Sequence, residues 1–228
     1  MDTEWDAAQT RDGIERSIAS LRDVGAPTWW VLSNHDRPRH RSRYGAGPEG
    51  ESRARAAALL LLGLPGVAYV YNGEELGLPS VVLPDEALQD PVWERTGHRE
   101  LGRDAERVPL PWRGDTPPYG FSTGTATWLP MPADWARLTV QAEEADRSSM
   151  LWLYRDAMAL RHQHVATANE VEWLDLGPSV VAFGHDGGLR CVGNFGPEPV
   201  ELPSGPVLLA SAKLSGGRLP TDTAAWLG

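Results

Sequence analysis

Two runs rich in consecutive apolar residues, Thr28 to Ser33 and Val67 to Tyr71, flank a helical segment, and this order constrains the fold more than any other feature. A strand that is apolar on successive residues, not alternate ones, is shielded on both faces. A helix joining two such strands makes them parallel neighbours, because the crossover has to travel back along their length. Upstream, Ile14, Ile18 and Leu21 recur at helical spacing between about Trp5 and Val24, and Gly25 and Pro27 end the pattern. After a basic, turn-like loop from Arg37 to Gly50, Glu51 opens the crossover helix, which runs through Leu62 and is stopped by Gly63 and Pro65. The order helix, strand, helix, strand is that of an α/β fold.

Composition narrows the class. The 228 residues include 31 acidic and 21 basic side chains, a formal net charge of -10, which argues against nucleic acid or an anionic membrane as the main partner. A neutral or cationic ligand fits such a surface better. The single cysteine, Cys191, excludes an intramolecular disulfide framework and a thiolate metal cluster built from this chain alone. The uncharged run from Ala56 to Tyr71 is shorter than the roughly 20 residues of helix that cross a bilayer, and Pro65-Gly66 breaks it. No membrane span is expected. The start Met1-Asp2-Thr3-Glu4 has neither the basic nor the apolar region of a secretory signal, so a cytoplasmic protein is expected.

From Gly73 to Arg147 periodicity is weak and proline, glycine and tryptophan are dense, which predicts a long excursion of loops and short helices. Met150 to His164 restores a helix with Leu153, Ala157 and Leu160 on one stripe. Short strands follow at Glu170–Leu176, Ser179–Gly184, Leu189–Phe195, Val200–Pro203 and Val207–Ala210, divided by Gly177-Pro178, His185-Asp186-Gly187-Gly188 and Gly196-Pro197. They predict a small antiparallel sheet or sandwich. A boundary near Ala166 divides the chain into residues 1–165 and 166–228.

Ligands of parallel α/β folds bind at the C-terminal ends of the strands. Asn34, His35 and Asp36 stand there on the first strand, and Asn72, Glu74 and Glu75 on the second. Three carboxylates and an imidazole thus share one rim. A plain structural alternative stays open at this point: His35 and Asp36 as loop residues, and the glutamate pair at a helix N-terminus that favours negative charge. The indole pair Trp29-Trp30 reads as packing, and Glu74 and Glu75 as hydrogen-bonding partners of the rim. Arg103, Asp104 and Arg107 read as an ion-pair lattice that orders the long loop.

Several motifs in series resemble the alpha-amylase superfamily of glycoside hydrolases. They are Ser33-Asn34-His35-Asp36-x-Pro38-Arg39, Ser42-Arg43-Tyr44-Gly45, Gly63-x-Pro65-Gly66-x-x-Tyr69-x-Tyr71-x-Gly73-Glu74-Glu75-x-Gly77, and Gly102-Arg103-Asp104-x-x-Arg107-x-Pro109-x-Pro111-Trp112. Within that superfamily the chain is most similar to the alpha-glucosidase and oligo-1,6-glucosidase branch. The resemblance implies the last two units of a (β/α)8 TIM barrel followed by a C-terminal antiparallel β-sandwich. It implies that Asp36 is the third catalytic carboxylate, which stabilises an oxocarbenium-like transition state. It makes His35, Arg39 and Asn34 the residues nearest the sugar, an alpha-glucoside or a malto- or isomalto-oligosaccharide the substrate, and no cofactor or metal a requirement of this part.

A retaining glycosidase also needs a nucleophile and an acid/base carboxylate about 5 to 5.5 Å apart. The motifs in which the family carries them do not occur in this sequence. Position 72 is Asn where similar proteins commonly carry Gln. The first expectation is therefore a C-terminal piece or subunit of an alpha-glucosidase, inactive alone, whose partner would be a chain carrying the first six barrel units. The competing expectation is a non-catalytic sugar-binding or protein-interaction module.

Overall fold

The computed structural model describes residues 4–165, 170–186 and 188–228. Helix α1 (Ala7–Arg22) opens on Asp6, whose carboxylate accepts the Gln9 N–H at 2.8 Å, and the chain leaves it through Gly25 at φ 65°. Strand β1 (Trp29–Val31) and strand β2 (Val67–Tyr69) pair in parallel, with Trp30 opposite Ala68. Both are shorter than their apolar runs predict.

Between them, the expected loop from Arg37 to Gly50 is instead largely helical. Helix α2 (His40–Arg43) makes one turn, and α3 (Gly47–Gly63) begins ahead of the predicted Glu51. Gly50 is not a breaker here. A Cβ at that position would stand 2.2 Å from the Gly45 carbonyl oxygen and 2.4 Å from that of Arg41, so the glycine lets the α2 turn pack directly on the α3 backbone.

Residues Ala56 to Gly63 of α3 are all buried, leaving no solvent face. A helix apolar all round is one packed on all sides. Trp30, Leu32 and the partly buried Ala68 and Val70 share its hydrophobic cluster on the barrel side, and Phe183, Cys191, Ala224 and Trp226 join the same cluster from the C-terminal sheet. Arg161 closes the end of α3 from the side, donating to the carbonyls of Leu62, Leu64 and Gly66 at 2.5–2.6 Å.

Strand coverage departs from the expectation of two shielded faces. Trp30 is 2% exposed and its indole donates to the Pro65 carbonyl, but Trp29 is 65% exposed, with Val67 and Tyr69 open on the same face. Only one of the two indoles packs.

The excursion after β2 holds α4 (Pro91–Arg95), α5 (Val140–Ala145) and three single turns of 3-10 helix, as its composition predicts. It has its own core, in which Leu76, Leu78, Tyr119, Leu129 and Trp135 are buried together. Helix α6 (Met150–His164) matches its predicted span and starts on Ser149, whose hydroxyl accepts the Trp152 N–H. The boundary predicted near Ala166 lies outside the described residues, as does Gly187 in the turn predicted after His185.

The C-terminal part is an antiparallel sandwich. Strands β3 (Glu172–Trp173), β4 (Val180–Gly184), β5 (Arg190–Asn194), β7 (Val207–Ala210) and β9 (Thr223–Leu227) form one sheet in the order β3-β4-β5-β9-β7. Strands β6 (Val200–Glu201) and β8 (Arg218–Leu219) form the second. One face of the large sheet packs on α3, and Ala182, Val192, Ala225 and Leu227 form a cluster with Leu219 of β8 on the other. Two strands, β8 and β9, have no counterpart in the pattern read from the sequence. Every residue of β9 is buried, so it has no alternation of polar and apolar positions to betray it.

Candidate functional site

Chain geometry delivers Asn34, His35 and Asp36 to the C-terminal end of β1, and a frame of hydrogen bonds holds them there. Arg43 of α2 donates to the Leu32 carbonyl at 2.9 Å and to the Pro38 carbonyl at 3.1 Å, bracketing the loop on both sides. The Arg39 N–H donates to the Ser80 hydroxyl, and the Ser80 N–H donates to the Ser42 hydroxyl. Asn34 turns its side-chain oxygen back to accept the Asp36 N–H at 2.9 Å, a local turn that fixes the direction of the aspartate.

Asp36 is solvent-accessible, and two arginines from the excursion converge on its Oδ1. Arg103 donates from 3.1 Å and Arg107 from 3.2 Å, while Arg107 also donates to the His35 carbonyl. The His35 ring stands 3.4 Å from the other carboxylate oxygen. Arg103 in turn grips Asp90 at 2.7 Å, which holds that carboxyl down at about 2. Its bonds to Asp90 and then Asp36 raise the guanidinium further above its ordinary value. The predicted lattice thus exists for Arg103 and Arg107, but its centre is Asp36. Asp104 instead accepts the backbone N–H groups of Gln89 and Asp90 at 2.6 and 2.7 Å. A bare motif with one arginine directly before an aspartate and another three residues after it, Arg103-Asp104-x-x-Arg107, gives no hint of a carboxylate nearly seventy residues upstream, so this juxtaposition was hidden from sequence reasoning.

Arg39 does not reach the opening with the others. It is buried beneath the rim and donates to the carbonyls of Asn72 at 3.0 Å and Glu106 at 3.2 Å, its guanidinium lying 4.9 Å from the centre of the Tyr71 ring. Glu75 accepts the Gly73 N–H at 2.8 Å, in keeping with a rim partner.

Deeper still, Ser33, His40 and Glu74 meet. The Ser33 hydroxyl accepts the His40 N–H and lies 2.9 Å from His40 Nδ1, which is 3.8 Å from Glu74 Oε1. Burial drives His40 down to about 3, reinforced by the charges of Arg43 and Arg39. Burial drives Glu74 up to about 8 against the pull of Ser33. At neutral pH both are uncharged, so their proximity is not an ion pair.

A carboxylate in a frame of guanidinium and imidazole suits a ligand rich in hydroxyls, which can donate to the one and accept from the others. Among the described residues, no group of three or more His, Cys, Asp or Glu side chains could hold a metal ion. No helix among them is long and apolar enough to cross a membrane.

The family model for the alpha amylase catalytic domain matches residues 3–170. The chain belongs to the alpha-amylase family. Residues 170–226 match a second model, described as a domain of unknown function (DUF3459). Among alpha-amylase family members, a probable alpha-glucosidase of Rhizobium meliloti (strain 1021) is 36% identical over 187 residues, 79% of this chain and 33% of that protein. An oligo-1,6-glucosidase of Parageobacillus thermoglucosidasius is 32% identical over 183 residues, 70% of this chain and 31% of that protein. The chain therefore spans about a third of the length of the curated relatives it matches. The crystal structure of an alpha-glucosyl transfer enzyme, XgtA, superposes with a TM-score of 0.77 at 29% identity, over 98% of this chain and 44% of that one. The fold is accordingly that of the family, barrel units followed by a β-sandwich.

Proposed function

We propose that this chain forms the C-terminal part of an alpha-glucosidase-type glycoside hydrolase acting on alpha-glucosidic bonds of oligosaccharides. The observation that carries the reading is Asp36: a carboxylate at the C-terminal rim, fixed in direction by Asn34 and by two guanidiniums. Fixed charge aimed at developing positive charge lowers a barrier without reorganisation at the moment of reaction. Asp36 stabilises the oxocarbenium-like transition state, His35 contacts the same glucosyl unit, and Asn34 orients the aspartate at its edge. Arg39 serves the sugar site indirectly, by tying the loop to the carbonyls of Asn72 and Glu106. Residues 1–165 supply barrel units and residues 166–228 the sandwich.

Nucleophile and acid/base come from the first six barrel units, which cover the open face bearing Trp29 and Tyr69. A cytoplasmic setting is part of this reading, and the free, buried Cys191 is compatible with a reducing compartment. The test is reconstitution. The chain mixed with a polypeptide bearing the first six units should hydrolyse p-nitrophenyl alpha-glucoside, and the chain alone should not. In that mixture Asp36→Asn should lower turnover by at least 100-fold, about 2.7 kcal/mol or more of transition-state stabilisation. Formation of an active complex indifferent to Asp36→Asn would remove the aspartate from the chemistry. Sugar binding by the chain with no assembly at all would favour a non-catalytic module.

A further inference from the structure

Glu74 is 2% exposed and sits on the segment after β2, against the end of β1. Its Oε1 has no hydrogen-bond partner, and neither do the buried Tyr154 hydroxyl and His40 Nε2. The charged and titratable groups that face it come from several elements. They are His40 of α2, Arg39 beside it and Tyr154 of α6, with Tyr71, Glu75 and Glu106 arranged around Arg39 in turn. Arg39 is the cation among them, and its guanidinium is committed to two backbone carbonyls. A buried carboxylate without a paired charge is unfavourable, whereas the neutral acid brings an O–H that can donate.

We propose that Glu74 is a positioning residue for the Asn34-His35-Asp36 loop, held as a neutral acid whose O–H turns among Ser33, His40 and Tyr154 and so locks the end of β1 to the end of β2. The proposal rests on the role given to Asp36 above. Ser33 links Glu74 to the loop, because it directly precedes Asn34 and already bonds to His40. Losing the proton places a buried charge, which Arg39 only partly offsets, between the two strand ends and frees the loop from its place on the rim.

The linkage has a definite sign. Glu74 lies at about 8 in the folded chain against an ordinary 4.5, so its contribution is complete below 4.5 and is lost as pH rises to about 8. His40 lies at about 3 against 6.5, so its contribution is complete above 6.5 and is lost as pH falls to about 3. Between pH 4.5 and 6.5 the two slopes oppose and cancel, so the joint contribution of this pair is level there and falls away on both sides, on top of the fall that Glu143, raised by burial to about 7, adds on its own between 4.5 and 7.

The experiment follows the full chain and its Glu74→Gln variant by infrared spectroscopy, by denaturant unfolding and by the His35 imidazole resonance, each across the alkaline limb. In the difference spectrum of the two, the unmutated chain should show a protonated carboxyl band that Glu74→Gln lacks, beside the signal of Glu143, which burial raises to about 7. Between pH 6.5 and about 8 the folding constant of the unmutated chain should fall by up to about tenfold per pH unit more than that of Glu74→Gln, and part of the His35 signal should move in step with the Glu74 titration. Glu74→Gln should remove the difference band, that excess fall and that part of the His35 movement. If Glu74→Gln does not fold, Ser33→Ala takes its place. Ser33 pulls Glu74 downward, so its removal should shift the carboxyl titration to higher pH. No protonated band in the difference spectrum, or a His35 signal indifferent to the titration, overturns the proposal. None of these readings needs hydrolysis, so a failure here leaves the glucosidase reading intact and is told apart from a failure of that reading.

Discussion

Strands β2 and β9 are short, apolar and anchored on the same hydrophobic cluster, yet every residue of β9 is buried and none of β2 is. Side chains do not account for the contrast, since Val67-Ala68-Tyr69 is no more polar than Thr223-Ala224-Ala225-Trp226-Leu227. Neighbours do. β9 lies between β5 and β7, with α3 on one face and the cluster around β8 on the other. β2 has β1 on one edge, and its second face carries the exposed Val67 and Tyr69, the Tyr69 ring 5.8 Å from that of Trp29. Apolar strand surface left open in this way invites another chain. The C-terminal sheet is closed within this chain, whereas the β1-β2 pair leaves apolar surface open.

Mutations can break or sharpen that contrast. The largest effect belongs to Trp226, fully buried with its indole donating to the Leu59 carbonyl at 3.0 Å. Trp226→Ala should cost about 3–5 kcal/mol in denaturant unfolding, and a loss below about 1 kcal/mol would mean the sheet does not share a core with α3. Arg161→Ala should cost about 1–3 kcal/mol by leaving partly buried carbonyls of Leu62 and Leu64 unpaired, and the same unfolding curve measures it. Trp29→Ser should change stability by no more than about 0.5 kcal/mol, because its ring is 65% exposed. Its effect should appear as weaker concentration-dependent association in sedimentation, and a large stability loss would show that the open face is covered within the chain.

Much of this was legible in the sequence because the α/β order, the α6 stripe and the strands from β4 to β7 leave periodic or punctuated patterns. The Asn34-His35-Asp36 cluster at a strand end was legible for the same reason. What escaped was set by tertiary packing. Gly50 reads as a break until the Arg41 and Gly45 carbonyls are seen to need its missing side chain. β9 lacks alternation because both its faces are covered, and the paired exposure of Trp29 and burial of Trp30 depends on which neighbours are present. The arginines on Asp36 were visible as residues but not as its partners, since a contact spanning about seventy positions has no local signature.

Helix α3 serves both halves at once. Leu59 accepts the indole of Trp226 through its carbonyl, while its side chain belongs to the cluster that also holds Trp30 of β1. The division of the chain into a barrel part and a sandwich part is therefore one of sequence, not of cooperativity. A protease that cut between α6 and β3 would release no separate domain, because the two fragments would stay joined around that helix. Amide protons of its Leu59 to Leu62 segment should be among the last to exchange, opening only when the whole molecule does.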